Sequence, residues 1–226
     1  MKFTTRSTTN RYRFTIKEEQ TIKMLLFFKR RNVMRILMLG NSYTSANHLP
    51  LMLAEMTGAE VVAHTRGGAR LAEQLNPATK LGNKTLKALH DEKWDYVIVQ
   101  EMSNGPITSK EKFMTNLSKL CGLIRKNGAT PVLFATWAYE KNGKQLKKFG
   151  MEYEDMICSM KETFRETVKR TSCLLADVTT AFEQQAETVK LYAPDGSHPS
   201  EAGSKLAART IAKVIWNDPK RKKEVS

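Results

Sequence analysis

Ser42 stands in Gly40-Asn41-Ser42-Tyr43-Thr44, directly after an apolar run. A serine hydroxyl becomes a nucleophile wherever a neighbouring base can take its proton. Such a base is available in Asp195-Gly196-Ser197-His198-Pro199-Ser200, where Asp and His are three residues apart on one loop. A carboxylate that accepts from one imidazole nitrogen fixes the tautomer and leaves the other nitrogen free as a base. Pro199 restricts His198 to an extended conformation, and Gly196 relaxes the turn before it. Two further segments offer donors for a developing oxyanion. Arg66-Gly67-Gly68-Ala69 presents backbone N–H groups with no side chain in the way. Gln100-Glu101-Met102-Ser103-Asn104-Gly105 carries two side-chain amides, Gln100 and Asn104, either of which can donate. Each segment taken alone is also what plain turn and helix-cap chemistry produces. Their combination points to attack on an acyl carbon.

The elements that position these residues are read from the apolar pattern. Short apolar runs recur at 34–39, 60–63, 96–99, 131–135 and 173–176, and each reads as a strand buried on both faces. Helical stretches lie between them, among them Leu49–Met56, Ser109–Lys126, Glu152–Lys169 and a last helix from about Ser200 to Trp216. This alternation predicts an α/β fold with a parallel sheet covered on both sides. Ligands of such sheets bind beyond the carboxyl ends of the strands. All four segments follow a strand or precede the last helix, so they fall at that end.

In their order, Ser, Gly, amide and Asp-x-x-His, the segments resemble the four blocks of the SGNH hydrolases, also known as GDSL-type esterases and lipases. The resemblance covers about 34–217 and is closest to a bacterial branch that opens with GNSYT. Ala135-Thr136-Trp137, after the fourth strand, resembles that branch too. The resemblance implies a three-layer α/β/α sandwich with a flavodoxin-like sheet, and hydrolysis of carboxylic esters, often acetyl esters on carbohydrates. It implies Ser42, Asp195 and His198 as catalytic residues. The Ser42 N–H, Gly67 or Gly68, and Asn104 or Gln100 then form the oxyanion hole. Two departures stand out. Asn41 replaces the Asp before the nucleophile. Gln100-Glu101-Met102-Ser103-Asn104 replaces Gly-x-Asn-Asp; counting from Asp95, Asn104 falls where the family's Asn stands, whereas a sialate-acetylesterase-like branch leads this block with Gln. Tyr43, Glu101 and Trp137 are candidate substrate-binding residues. The competing reading is a non-catalytic flavodoxin-like module that holds phosphate or flavin on the loop 41–47, or an interaction protein derived from a hydrolase.

Composition narrows the remaining choices. The formal net charge is +14, and the excess is mostly terminal: residues 1–33 carry nine Lys/Arg against two Glu. These residues are expected to be a poorly ordered basic extension, with Met34 as the natural start, and 218–226 a basic tail. No aromatic and basic residues interleave as a nucleic-acid groove requires, so nucleic acid is not an expected partner. Three cysteines without a CxxC argue against a disulfide framework or a Cys-based zinc site and fit a reducing, cytoplasmic compartment. The run 24–28 is too short for a signal sequence. Neither a metal nor a cofactor is expected. His64 is expected to be structural or pocket-lining, and His48 and His90 to lie on the surface.

Overall fold

The computed structural model describes residues 33–224. The expected basic extension lies, but for Val33, outside the described residues. Five strands form one parallel sheet: β1 (Arg35–Gly40), β2 (Glu60–Thr65), β3 (Tyr96–Val99), β4 (Thr130–Ala135) and β5 (Leu174–Asp177). Their spatial order is β2-β1-β3-β4-β5, the flavodoxin-like order, in which the chain reverses direction across the sheet between β1 and β3. Parallel pairing requires a crossover between strands, and helices supply it. In chain order these are α1 (Ser42–Ser45), α2 (Leu49–Thr57), α3 (Leu71–Gln74), α4 (Lys80–Asp91), α5 (Gly105–Thr108) and α6 (Lys110–Asn127). There follow α7 (Lys144–Phe149), α8 (Tyr153–Thr171), α9 (Val178–Gln185), α10 (Glu201–Asn217) and α11 (Pro219–Glu224).

Side chains of a strand point alternately to its two faces, and the central strands carry consecutive apolar residues, Ile36–Leu39, Tyr96–Val99 and Pro131–Ala135, so the sheet has two cores. Leu37 and Leu39 of β1, Val97 and Val99 of β3, and Leu133 of β4 pack with α4, α6 and α8. Their neighbours Ile36, Met38, Ile98, Val132 and Phe134 pack with α2, α9 and α10. Each fully buried Leu, Ile or Phe stabilises the fold by roughly 1.5–3 kcal/mol relative to exposure. The three-layer α/β/α sandwich is the architecture that the sequence predicts.

The strands fall within two residues of their expected positions. The four expected helices are present, as α2, α6, α8 and α10. The connections after β2 and β4 contain short helices, α3 and α7. The segment read as a basic tail begins with Asp218, which is buried and accepts a hydrogen bond from Tyr96 Oη at 2.9 Å, and continues as α11. No helix among the described residues is long and apolar enough to cross a membrane.

Candidate active site

The turn after β1 is built for close approach. A Cβ on Gly40 would stand 2.2 Å from Thr44 Oγ1 and 2.5 Å from Gln100 Oε1, so only glycine leaves room for the two polar groups that organise the turn. Asn41 caps α1: its Oδ1 accepts from Tyr43 N at 3.0 Å, and its carbonyl accepts from Thr44 N at 3.0 Å and Ser45 N at 3.1 Å. Ser42 is the first residue of that helix. Its N–H belongs to the helix's first turn and has no intrahelical acceptor.

Asp195, Gly196, Ser197 and His198 lie on the loop before α10, and several contacts fix that loop. Gly196 adopts φ +67°, a left-handed conformation that costs glycine little. Its carbonyl accepts from Glu140 N at 2.8 Å. The Ser197 carbonyl accepts from Trp137 Nε1 at 3.0 Å. Asn47 Nδ2 donates to the Pro199 carbonyl at 2.9 Å. Ser200 caps α10, its Oγ accepting from Gly203 N at 3.1 Å.

So held, the two segments meet. Ser42 Oγ lies 2.9 Å from His198 Nε2, and His198 Nδ1 lies 2.6 Å from Asp195 Oδ2. The other carboxylate oxygen, Oδ1, accepts from Ser197 N and His198 N, both at 2.9 Å. Burial pushes the Asp195 carboxyl up, but the hydrogen bonds from the His198 ring and from these two N–H groups outweigh it and hold it below the ordinary carboxylate value. An ionised Asp195 only accepts, so the Nδ1 proton is on His198 and the Nε2 lone pair faces the Ser42 hydroxyl.

The other sequence candidates divide. Gly67 and Gly68 are exposed on the turn after β2, closed by Ala69 N donating to Arg66 O at 2.9 Å. Neither of their N–H groups has a protein acceptor among the described residues. Asn41 Nδ2 donates to the Ala69 carbonyl at 3.2 Å, tying this turn to the serine's. Asn104 precedes α5; its Oδ1 is buried with no hydrogen-bond partner among the described residues, an arrangement that native structures seldom leave unused. Gln100 does not share this freedom. It is 1% exposed; its Oε1 accepts from Asn41 N and Thr44 Oγ1, both at 2.9 Å, and its Nε2 donates to the Glu101 carbonyl. The buried N–H of Asn41 requires that acceptor, so Gln100 braces the turn.

Tyr43, Glu101 and Trp137, expected to touch substrate, are 3%, 5% and 0% exposed. They stand behind the site. Trp137 stacks on Tyr43 and Phe182 with ring centroids 4.9 Å and 4.1 Å away. Tyr43 packs edge-on against the His198 ring at 5.2 Å, and its hydroxyl meets Ser197 Oγ. Burial pushes its phenol well above the ordinary tyrosine value, so it stays protonated and can donate. Glu101 accepts from Met102 N at 2.7 Å and Leu71 N at 3.3 Å, joining the loops after β2 and β3. Burial pushes its carboxyl up, and these two N–H bonds partly offset that. Asn47 is a site residue that the sequence reading did not name. It adopts φ +50°, which Asn tolerates better than most residues, and nothing in its neighbours signals that role. The loop 41–47 also bears on the phosphate-binding reading. The N–H groups of Tyr43, Thr44 and Ser45 that would cradle a phosphate are all spent on Asn41.

A solved protein of Slackia heliotrinireducens, named as an SGNH hydrolase, is 49% identical, with a TM-score of 0.78 over 81% of this chain and 100% of that one. The chain belongs to the SGNH hydrolases. It is an esterase- or lipase-type hydrolase acting on ester bonds. More distant SGNH-like folds include a DUF4886 family protein of Bacteroides uniformis, 21% identical with TM-score 0.64 over 81% of this chain and 83% of that one. Another is an acetyl-xylooligosaccharide esterase of Geobacillus, 14% identical with TM-score 0.57 over 80% of this chain and 94% of that one. No family profile and no curated protein matches the chain.

Proposed function

We propose that this SGNH hydrolase is a serine esterase that works through an acyl-enzyme on Ser42, with acetyl esters of carbohydrates as its substrate class. The observation that carries the reading is the unbroken chain Ser42 Oγ, His198 Nε2, His198 Nδ1, Asp195 Oδ2, with contacts of 2.9 Å and 2.6 Å. His198 Nε2 takes the Ser42 proton as Oγ bonds to the ester carbonyl carbon. Asp195 stabilises the imidazolium. The carbonyl oxygen, now negative, is held by the N–H of Ser42, an N–H of Gly67 or Gly68, and the amide of Asn104. Collapse of this intermediate breaks the C–O bond, and His198 returns its proton to the leaving alcohol. Water, deprotonated by His198, then attacks the acyl carbon and releases the acid and Ser42.

Gln100 holds the Asn41 turn with its Oε1 and donates to the Glu101 carbonyl, and the order of the family's blocks then supports the Nδ2 of Asn104 as the side-chain donor. The acetyl-carbohydrate class rests on the family resemblance and on a shared fold with the acetyl-xylooligosaccharide esterase. Hydrolysis of p-nitrophenyl acetate tests the reaction. Wild type is expected to turn over and Ser42→Ala to fall to the uncatalysed rate, whereas equal activity of the two overturns the assignment. A panel of acetylated sugars against longer acyl esters tests the substrate class.

A further inference from the structure

A cavity of about 390 Å³ lies at the outer edge of β2, lined by His64, Arg66, Glu73, Lys80 and Lys84 among others. It lies at the same end of the sheet as the candidate site. Thr65, the last residue of β2, pairs in register with Gly40, two residues before Ser42. Arg66 Nη1 donates to the carbonyl of Gly67 at 2.7 Å, so the cavity wall and the glycine turn share one residue. The helix α4 follows a strand of a parallel sheet, so it begins at the sheet's carboxyl end. That places Lys80 and Lys84 at the end of the molecule where Ser42 lies.

The chemistry of the lining is specific. Arg66 is paired with Glu73, its Nε donating at 2.6 Å. Lys80 and Lys84, one helical turn apart and thus on one face of α4, have no carboxylate partner among the described residues. The cavity therefore carries two uncompensated positive charges. At its base His64 is 3% exposed, and its tautomer follows from its neighbours. Gln74 Nε2 donates to the His64 carbonyl at 3.0 Å, so Gln74 Oε1 is the acceptor that takes the Thr85 hydroxyl proton at 2.6 Å. With its proton spent, Thr85 Oγ1 can only accept at its 3.2 Å contact with His64 Nδ1. Nδ1 thus carries the ring proton. Burial, with the nearby Lys84 ammonium, pushes the imidazole down to about 4, so the ring is neutral near pH 7. Nε2 is a bare lone pair with no protein partner among the described residues.

From the paired lysines beside a buried imidazole acceptor, we infer that this cavity is a substrate subsite for an anionic, hydroxyl-bearing group, as on an acidic sugar. Lys80 and Lys84 bind the anion, and His64 Nε2 accepts from a neighbouring hydroxyl. The inference rests on the esterase reading and narrows its substrate class to esters of acidic sugars. A carboxylate and a phosphate both satisfy the lysines, and the experiment distinguishes them.

The Ser42→Ala protein, in which turnover plays no part, is titrated with glucuronate, glucose 6-phosphate and glucose, with binding followed by NMR. At least one of the two anions is expected to bind at concentrations where glucose does not. Which of them binds identifies the anion. In the background Lys80→Gln/Lys84→Gln that affinity falls at least ten-fold, with the thermal midpoint unchanged. Equal binding of glucose and both anions, absence of binding by either anion, or indifference to the lysine substitutions overturns the inference. Failure of p-nitrophenyl acetate turnover overturns the esterase reading instead, and the titration still reads the subsite.

Discussion

The side-chain carbonyl of Gln100 accepts the backbone N–H of Asn41 at 2.9 Å, so the residue just after one central strand braces the turn beyond its neighbour. Both groups are buried. Gln100→Leu removes the acceptor and strands that N–H, at a cost of about 1–3 kcal/mol. It is expected to lower kcat more than it raises KM, because the turn carries Ser42. Gln100→Glu keeps an acceptor and should lose less. Steady-state kinetics of the two variants with urea midpoints check this; equal losses in both would contradict it.

Gly40 is the next constraint on that turn. Gly40→Ala places a methyl against Thr44 and Gln100, which are hydrogen-bonded to each other and cannot move independently. Overpacking of this kind costs roughly 1–3 kcal/mol. The expected outcome is a lower thermal midpoint together with lost activity; a midpoint like that of wild type would show that the turn is slack.

Asp195→Asn keeps the shape of the side chain but donates where the carboxylate accepts, so it favours the wrong imidazole tautomer. A loss of about 10³–10⁴ in kcat is expected. Stability supplies a second readout. The Asp195 carboxyl lies below its ordinary value in the folded state. Its contribution is therefore present above the unfolded pKa of about 3.9 and is lost as the pH falls through the folded value. The stability gap between wild type and variant should narrow in that acidic range and stay constant from there to neutrality.

His64 makes the opposite kind of prediction. Its imidazole is held down to about 4 by burial and by Lys84, against about 6.5 for an unperturbed histidine. Between those values the unfolded chain binds the extra proton, so stability falls as the pH drops through this window, by roughly 3 kcal/mol in full. Urea midpoints of wild type and His64→Gln, compared from pH 7 to pH 4.5, should converge as the pH falls. A constant difference would show that His64 is protonated in the fold.

The sheet was legible because each strand carries an unbroken apolar run of three or more residues, bounded by turn and helix signals. The grouping of Ser42, Asp195 and His198 could be anticipated because the flanking strand and helix signals placed all three at one end of the sheet. The supporting residues could not. Gln100 and Asn104 carry the same amide, and only the buried N–H of Asn41 decides that one is a brace while the other is unpartnered. Trp137 and Tyr43 lie two and three residues beyond the ends of β4 and β1, where an aromatic can face solvent or core. Their stack with Phe182 of α9 depends on packing between segments distant in sequence. Asn47 reaches the Pro199 carbonyl across 152 residues, a contact that no local pattern encodes.

The central claim is that Ser42 is a nucleophile activated by His198. A fluorophosphonate probe reacts with such a serine and leaves a stable adduct, so intact mass followed by peptide mapping reads the claim without a known substrate. The account predicts one adduct per chain, located on Ser42, absent in Ser42→Ala and strongly slowed in His198→Ala. A protein that takes up no probe, or one labelled equally after Ser42→Ala, would contradict it.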